Sequence, residues 1–176
     1  MVLMSQIQVP FDKSLVLNKQ VWMPALGIFL LDQLTKYWII WKVEVGELIP
    51  VLPFFNLVHY KNRGAAFGMF HNSSPEFRMV FFGLVTLVFL GLIIYWLGTA
   101  PLKDRAYRWG LVLILGGALG NVKDRVIFQE VTDFLDFYVG AYHWPAFNVA
   151  DSAITVGVCW IMLLQLPWQK WLSKRN

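Results

Sequence analysis

The stretch MVFFGLVTLVFLGLIIYWL, Met79–Leu97, decides the fold. Its 19 residues carry no charge and end in Tyr95-Trp96-Leu97. An apolar helix of about 20 residues is the length that crosses a bilayer. Three further apolar runs lie around it. Val21–Trp41 is interrupted by Asp32 and Lys36. Trp109–Gly120 is rich in glycine and reaches spanning length if it continues to Arg125. Ala150–Leu166 ends at Pro167. The reading is a mainly α membrane protein with four transmembrane helices, spans about 21–41, 79–97, 109–125 and 150–166. All of 1–176 forms one integral membrane domain, with loops 42–78 and 126–149 on one face.

Composition agrees. The chain is 57% apolar, 16% aromatic and 15% charged, whereas a soluble domain is about a quarter charged. That excludes a soluble enzyme, a disordered tail and a nucleic-acid binder. The formal net charge of +4 is too small to argue for nucleic acid. The single cysteine, Cys159, excludes an internal disulfide, and its apolar run predicts a buried, inert thiol. No repeat or linker divides the chain.

Lys/Arg bias sets orientation. Lys13, Lys19, Lys103, Arg105, Arg108, Lys170, Lys174 and Arg175 fall on one side, against Asp12 and Asp104. The other side holds six basic residues and eight acids. Both termini are therefore expected in the cytoplasm. Trp22, Trp41, Trp96, Trp109 and Trp168 lie at span ends, as an aromatic belt places them. The first span is too long and too charged for the core of a cleaved signal peptide, and predicts a retained anchor. In the outer loops, Val43-Glu44-Val45, Phe54–Tyr60 and Val131–Tyr138 have strand character, and a small sheet on the membrane surface is expected. Asn62-Arg63-Gly64 is a turn signal. Ala65–Phe70 is expected as one apolar helical turn at the interface.

Ionisable groups in or beside a span are candidates for function. Asp124 closes the third span and Asp151 opens the fourth, so both lie at one depth. Two carboxylates in a poorly hydrated site share one proton, which is the state of an aspartic protease. The ionised member draws a proton from water and the protonated member polarises the scissile carbonyl. The structural alternatives are plain. Asn148 would cap the fourth helix with Asp151 in its first turn. Asp124 would pair with a cation such as Arg125. Asp32 and Lys36, four apart, would form an ion pair within one helix or anchor an outer-loop backbone group. Gly116, Gly117 and Gly120 give the third helix a smooth face, for packing or for a substrate helix. Asn62, Asn121 and Asn148 recur at junctions, for turns and caps or for orienting a substrate backbone. The chain has no His-Glu-x-x-His, its three histidines are scattered, and neither a metal nor another cofactor is expected.

At these residues the chain resembles the bacterial lipoprotein signal peptidase (signal peptidase II) family. Five ordered blocks carry the resemblance: Asp32–Lys36, Asn62–Phe67, Gly116–Arg125, Val131–Phe134 and Phe147–Ile154. The resemblance implies four transmembrane helices with a small antiparallel β-sheet on the periplasmic side. It implies an aspartic endopeptidase of the bacterial inner membrane that removes the signal peptide from diacylglyceryl-modified prolipoproteins, cutting just before the modified cysteine. Its partners would be that substrate and membrane phospholipid. Asp124 and Asp151 would be catalytic. Asn62, Gly64, Asn121, Arg125, Asn148 and Ala150 would position substrate or support the pair, and Asp32 and Lys36 would stabilise the site's wall. Lys123 and Gln129-Glu130 depart from the family pattern. The competing readings are a small proton-coupled transporter with Asp32, Lys36, Asp124 and Asp151 as a relay, a scaffold binding partner helices on its glycine face, and a serine–lysine protease, which no serine near Lys36 supports.

Overall fold

Each long apolar run folds as a helix fixed by a capping side chain. The computed structural model describes residues 10–64, 73–100 and 104–166. The apolar turn expected at Ala65–Phe70, the belt residue Trp168 and the basic residues Lys103, Lys170, Lys174 and Arg175 lie outside the described residues. A short helix, α1 (Lys13–Val16), precedes α2 (Lys19–Lys42), whose first turn is capped by Asn18. Ser74 caps α3 (Pro75–Thr99), with Pro75 in the first turn, where its missing N–H costs nothing. Asp104 caps α4 (Arg105–Phe128). Asn148 caps α5 (Val149–Gln165) in a reciprocal capping box with Asp151.

The four runs expected as spans thus lie in α2, α3, α4 and α5. Among the described residues, α3 and the Lys13–Lys42 stretch are long and apolar enough to cross a membrane, and α5 is a shorter apolar helix. Helix α3 is the most lipid-like. Only Ile93, Leu97 and Gly98 of it are buried, while Leu84, Leu87, Val88 and Phe89 are exposed. Cys159 is exposed on α5 beside Val158 and Trp160, so its apolar run marks an outward face rather than a buried thiol.

Helix α4 is the axis of packing, because its small residues let two helices approach. A Cβ on Gly116 would lie 2.8 Å from the carbonyl of Ala25 in α2, and one on Gly117 would strike the carbonyl of Ala150 in α5. The smooth face is therefore filled by the chain's own helices. Val21, Ala25, Ile93, Leu97, Leu111 and Leu115 form the apolar core where α2, α3 and α4 meet.

Between the helices the chain builds a four-stranded antiparallel sheet, in the order β1 (Leu48–Leu52), β2 (Phe55–Asn62), β3 (Val131–Val139) and β4 (Tyr142–His143). The sheet was legible, but its first strand was not. Val43-Glu44-Val45 lies at the exit of α2 and in a turn, and the strand contains Pro50. Pro50 is tolerated because β1 is an edge strand with an irregularity beside it. Asn56 donates to Asp136 Oδ2 at 2.7 Å across β2 and β3, and His143 Nδ1 lies 2.9 Å from Asp136 Oδ1. Backbone bonds from Trp144 to Phe137 O at 2.8 Å and from Phe147 to Leu135 O at 3.1 Å tie the segment after β4 to β3.

Candidate active site

The site is assembled where α2, α4, α5 and the sheet meet. Asp32 is fully buried. Its Oδ1 accepts the Ala150 N–H at 2.9 Å, and its Oδ2 lies 2.8 Å from Lys36 Nζ. The ion pair within one helix is present, and Asp32 also anchors backbone, though of the first turn of α5 at Ala150 rather than of an outer loop. Lys36 Nζ also lies 2.7 Å from Asp124 Oδ2 and donates to Asn121 Oδ1 at 2.9 Å. All three ammonium protons have acceptors. Gln33 completes the cluster, donating at 3.0 Å to Asp32 Oδ2 and at 3.3 Å to Asp124 Oδ1. Asp124 thus takes its cation from Lys36, and Arg125 turns away to donate to Gly64 O at 3.1 Å with its guanidinium over the Phe82 ring.

A second chain of bonds runs through the asparagines. Asn121 Nδ2 donates to Asp151 Oδ1 at 2.7 Å. Asn148 Nδ2 donates to Asp133 Oδ1 at 2.7 Å, and the Asn148 N–H donates to Asp151 Oδ2 at 3.3 Å. Asn62 Nδ2 donates to Asp133 Oδ2 at 2.9 Å, while its Oδ1 accepts the Gly64 N–H at 3.0 Å and closes the predicted turn. One residue, Asn148, therefore touches both Asp133 and Asp151.

These two aspartates line the same cavity, of about 870 Å³, with Asn62, Arg125, Trp144 and Phe147 around them. Asp124 does not line it. It faces a separate crevice of about 10 Å³ with Gln33 and Lys36, a volume on the scale of one water. Burial pushes the Asp133 carboxyl up to about 7, and the negative charge of Asp151 adds to the effect. Hydrogen bonds from Asn62 and Asn148 and the charge of Lys36 act the other way. A buried carboxyl beside another carboxyl, in a cavity large enough for an extended peptide, is equipped for general acid–base chemistry.

The family model for signal peptidase (SPase) II matches residues 24–166. The chain belongs to the signal peptidase II family. It is similar to the lipoprotein signal peptidase of Syntrophus aciditrophicus, 44% identical over 81% of this chain and 89% of that one. The lipoprotein signal peptidase of Cupriavidus taiwanensis is 49% identical over 81% of this chain and 80% of that one. A solved structure described as a bacterial membrane enzyme, determined by the in meso method at 2.3 Å resolution, superposes with a TM-score of 0.74 at 32% identity, covering 89% of this chain and 92% of that one. The signal peptidase II family makes the chain a membrane protease with a prolipoprotein substrate.

Sequence reasoning missed Asp133 as a partner for Asp151. Matching depths by helix ends led to Asp124, whereas Asp133 enters from a strand. The available signal was an acid inside the apolar strand Val131–Tyr138, within a block already resembling signal peptidase II. The two departures from the signal peptidase II pattern also have physical settings. Lys123 Nζ lies 2.8 Å from the Tyr37 hydroxyl and 3.5 Å from Asp124 Oδ1. Gln129 ends α4 in the left-handed region, φ 59°, the position where glycine is at ease. Glu130 then pairs with Arg63 at 3.1 Å.

Proposed function

We propose that the chain is an aspartic endopeptidase, with Asp133 and Asp151 as its carboxylate pair, that removes the signal peptide from diacylglyceryl-modified prolipoproteins on the N-terminal side of the modified cysteine. The observation that carries the pair is that both line one peptide-sized cavity and share Asn148, while Asp124 is sunk in an ion pair outside it. Protonated Asp133 hydrogen-bonds the scissile carbonyl. Ionised Asp151 takes a proton from the attacking water as its oxygen bonds to the carbonyl carbon. The proton then passes to the leaving amide nitrogen as the C–N bond breaks. Asn62, Asn121 and Asn148 orient the pair. Arg125 and Gly64 hold the turn beside the cavity. Asp32, Lys36 and Asp124 lock α2 and α4 to the Ala150 backbone, one residue before Asp151.

All of α2 to α5 cross the inner membrane in this reading, with both termini cytoplasmic and the sheet and cleft at the periplasmic face. The substrate's acyl chains hold the scissile bond at the depth of the pair, each buried CH₂ contributing about 0.8 kcal/mol. The reaction draws on no cofactor.

The test is a purified-protein assay on one lipidated and one unlipidated precursor. Asp133→Asn and Asp151→Asn each lose cleavage by about three orders of magnitude or more, in the range of a lost acid–base group. Asp124→Asn keeps measurable turnover, since Lys36 retains Asp32. Full activity in Asp133→Asn, or complete loss confined to Asp124→Asn and Asp151→Asn, overturns the pairing.

A further inference from the structure

Helices α2 and α4 both run toward the sheet, so their first turns lie together at the far end of the bundle. A cavity of about 480 Å³ opens between them. Lys19, Arg105 and Arg108 line it together with Trp109, Met23 and Val112, and among the described residues no carboxylate does. The nearest acids in sequence are engaged as caps: Asp12 accepts the Ser14 N–H at 2.8 Å, and Asp104 the Tyr107 N–H at 3.1 Å.

Arg108 makes the charge imbalance acute. It is 8% exposed. Its guanidinium donates to three backbone carbonyls, Leu15 at 2.8 Å, Leu97 at 2.9 Å and Ala100 at 3.3 Å. Among the described residues no carboxylate comes within ion-pair distance of it. Lys19 and Arg105 are exposed beside it. The N-terminal ends of two 24-residue helices add positive partial charge at the same place. The lining therefore combines three cations and two helix N-termini with an apolar floor that continues onto the exposed side chains of Met23, Leu26 and Trp109. Free phosphate satisfies only the first half of that description. A phosphodiester carrying acyl chains satisfies both, and basic pockets between transmembrane helices are where anionic headgroups bind.

We propose that this cavity, walled by Lys19, Arg105, Arg108 and Trp109, is a binding site for the headgroup of an anionic phospholipid, with an acyl chain along the α2–α4 face. The site lies at the end of the bundle away from the cleft and works independently of the aspartate pair. The lipid stabilises the packed helices by occupying the folded state alone.

The full-length protein in neutral detergent is titrated with phosphatidylglycerol, with phosphatidylcholine of the same chains, and with inorganic phosphate. Phosphatidylglycerol near a hundredfold excess over its dissociation constant raises the unfolding midpoint by about 5 °C or more, and the other two do not. The double variant Lys19→Gln/Arg105→Gln, which leaves both helix caps intact, loses most of that shift. The charge-preserving Lys19→Arg/Arg105→Lys keeps it. Lys42→Gln/Arg63→Gln, which removes two charges from the other end, also keeps it. An equal shift with phosphatidylcholine or phosphate, an undiminished shift in Lys19→Gln/Arg105→Gln, or an equal loss in Lys42→Gln/Arg63→Gln overturns the proposal.

Discussion

Replacing Lys36 with methionine keeps an unbranched stem and deletes one charge from the most buried ionic cluster in the chain. Its side chain is 3% exposed, and its ammonium lies 2.8 Å from Asp32 and 2.7 Å from Asp124. The cluster of three holds one positive and two negative charges. Lys36→Met leaves two buried carboxylates with neutral donors, Gln33 Nε2 and the Ala150 N–H. Lys123 lies 3.5 Å from Asp124, against 2.7 Å for Lys36, and is shared with the Tyr37 hydroxyl, so it compensates only in part. Breaking a buried ion pair from one side costs about 3–5 kcal/mol. For a chain of this size that lowers the unfolding midpoint by roughly 6–20 °C. Adding Asp124→Asn removes one of the stranded charges, so Lys36→Met/Asp124→Asn recovers a large part of the loss. The double-mutant cycle then shows a strong coupling, in contrast to the near-additivity of distant sites. Far-ultraviolet circular dichroism of the purified protein in detergent follows unfolding. Should melting prove irreversible, unfolding rates at one fixed temperature serve the same comparison. A Lys36→Met protein within about 1 kcal/mol of the parent refutes the cluster's role, given the cost of an unpaired buried charge. So does a double variant whose losses simply add.

Four other outcomes follow from the same structure. Asp133 holds its proton up to about 7 when folded, against an ordinary value of 3.8, so cleavage of a lipidated precursor falls about tenfold per pH unit above that point; a rate unchanged up to pH ~9 removes Asp133 as the acid. For the same group the folded state binds more protons than the unfolded one between those values, so its contribution makes stability fall as pH rises from 3.8 to about 7 and stay level beyond; thermal melts of the parent and of Asp133→Asn across that range separate this slope from the rest. Gln129→Gly relaxes a left-handed residue at the end of α4 and stabilises by up to about 1 kcal/mol in the same melts, whereas a loss of stability shows that the glutamine is held there by something else. Gly117→Val pushes against the Ala150 carbonyl, costs about 1–3 kcal/mol as overpacking and displaces the start of α5, so turnover drops in Gly117→Val while Gly27→Val, where open space surrounds the missing Cβ, stays active.

The length of the apolar runs made the helices legible, because a run such as Met79–Leu97 has no other way to satisfy its backbone polar groups in lipid. One cap was legible too: Asn148 caps α5 with Asp151 in its first turn, and the reciprocal bond that makes the pair a capping box is an addition of the structure. The choice among acids was harder. Helix ends alone put Asp124 and Asp151 at one expected depth, but azimuth around α4 decides which cavity a side chain enters, and Asp124 is turned to Lys36 of α2. Asp133 reaches Asp151 only through the register of β2 on β3, in which Tyr60 opposes it, and through the turn that brings Asn148 beneath. Long-range pairing of this kind leaves no local pattern to read. Pro50 misled in the opposite direction, since a residue that excludes a central strand is permitted at an edge.

The bond from Asp32 to the Ala150 N–H joins positions 118 apart in the chain. One helix thereby fixes the seat of Asp151, and another, through Asn121, steadies its carboxylate. A nascent chain that stops short of α5 holds Asp32 and Asn121 with neither the Ala150 N–H nor the Asp151 carboxylate that they bind. The seat of Asp151 is therefore complete only once α5 has packed against α2 and α4, so the order of folding sets when that carboxylate is held in place.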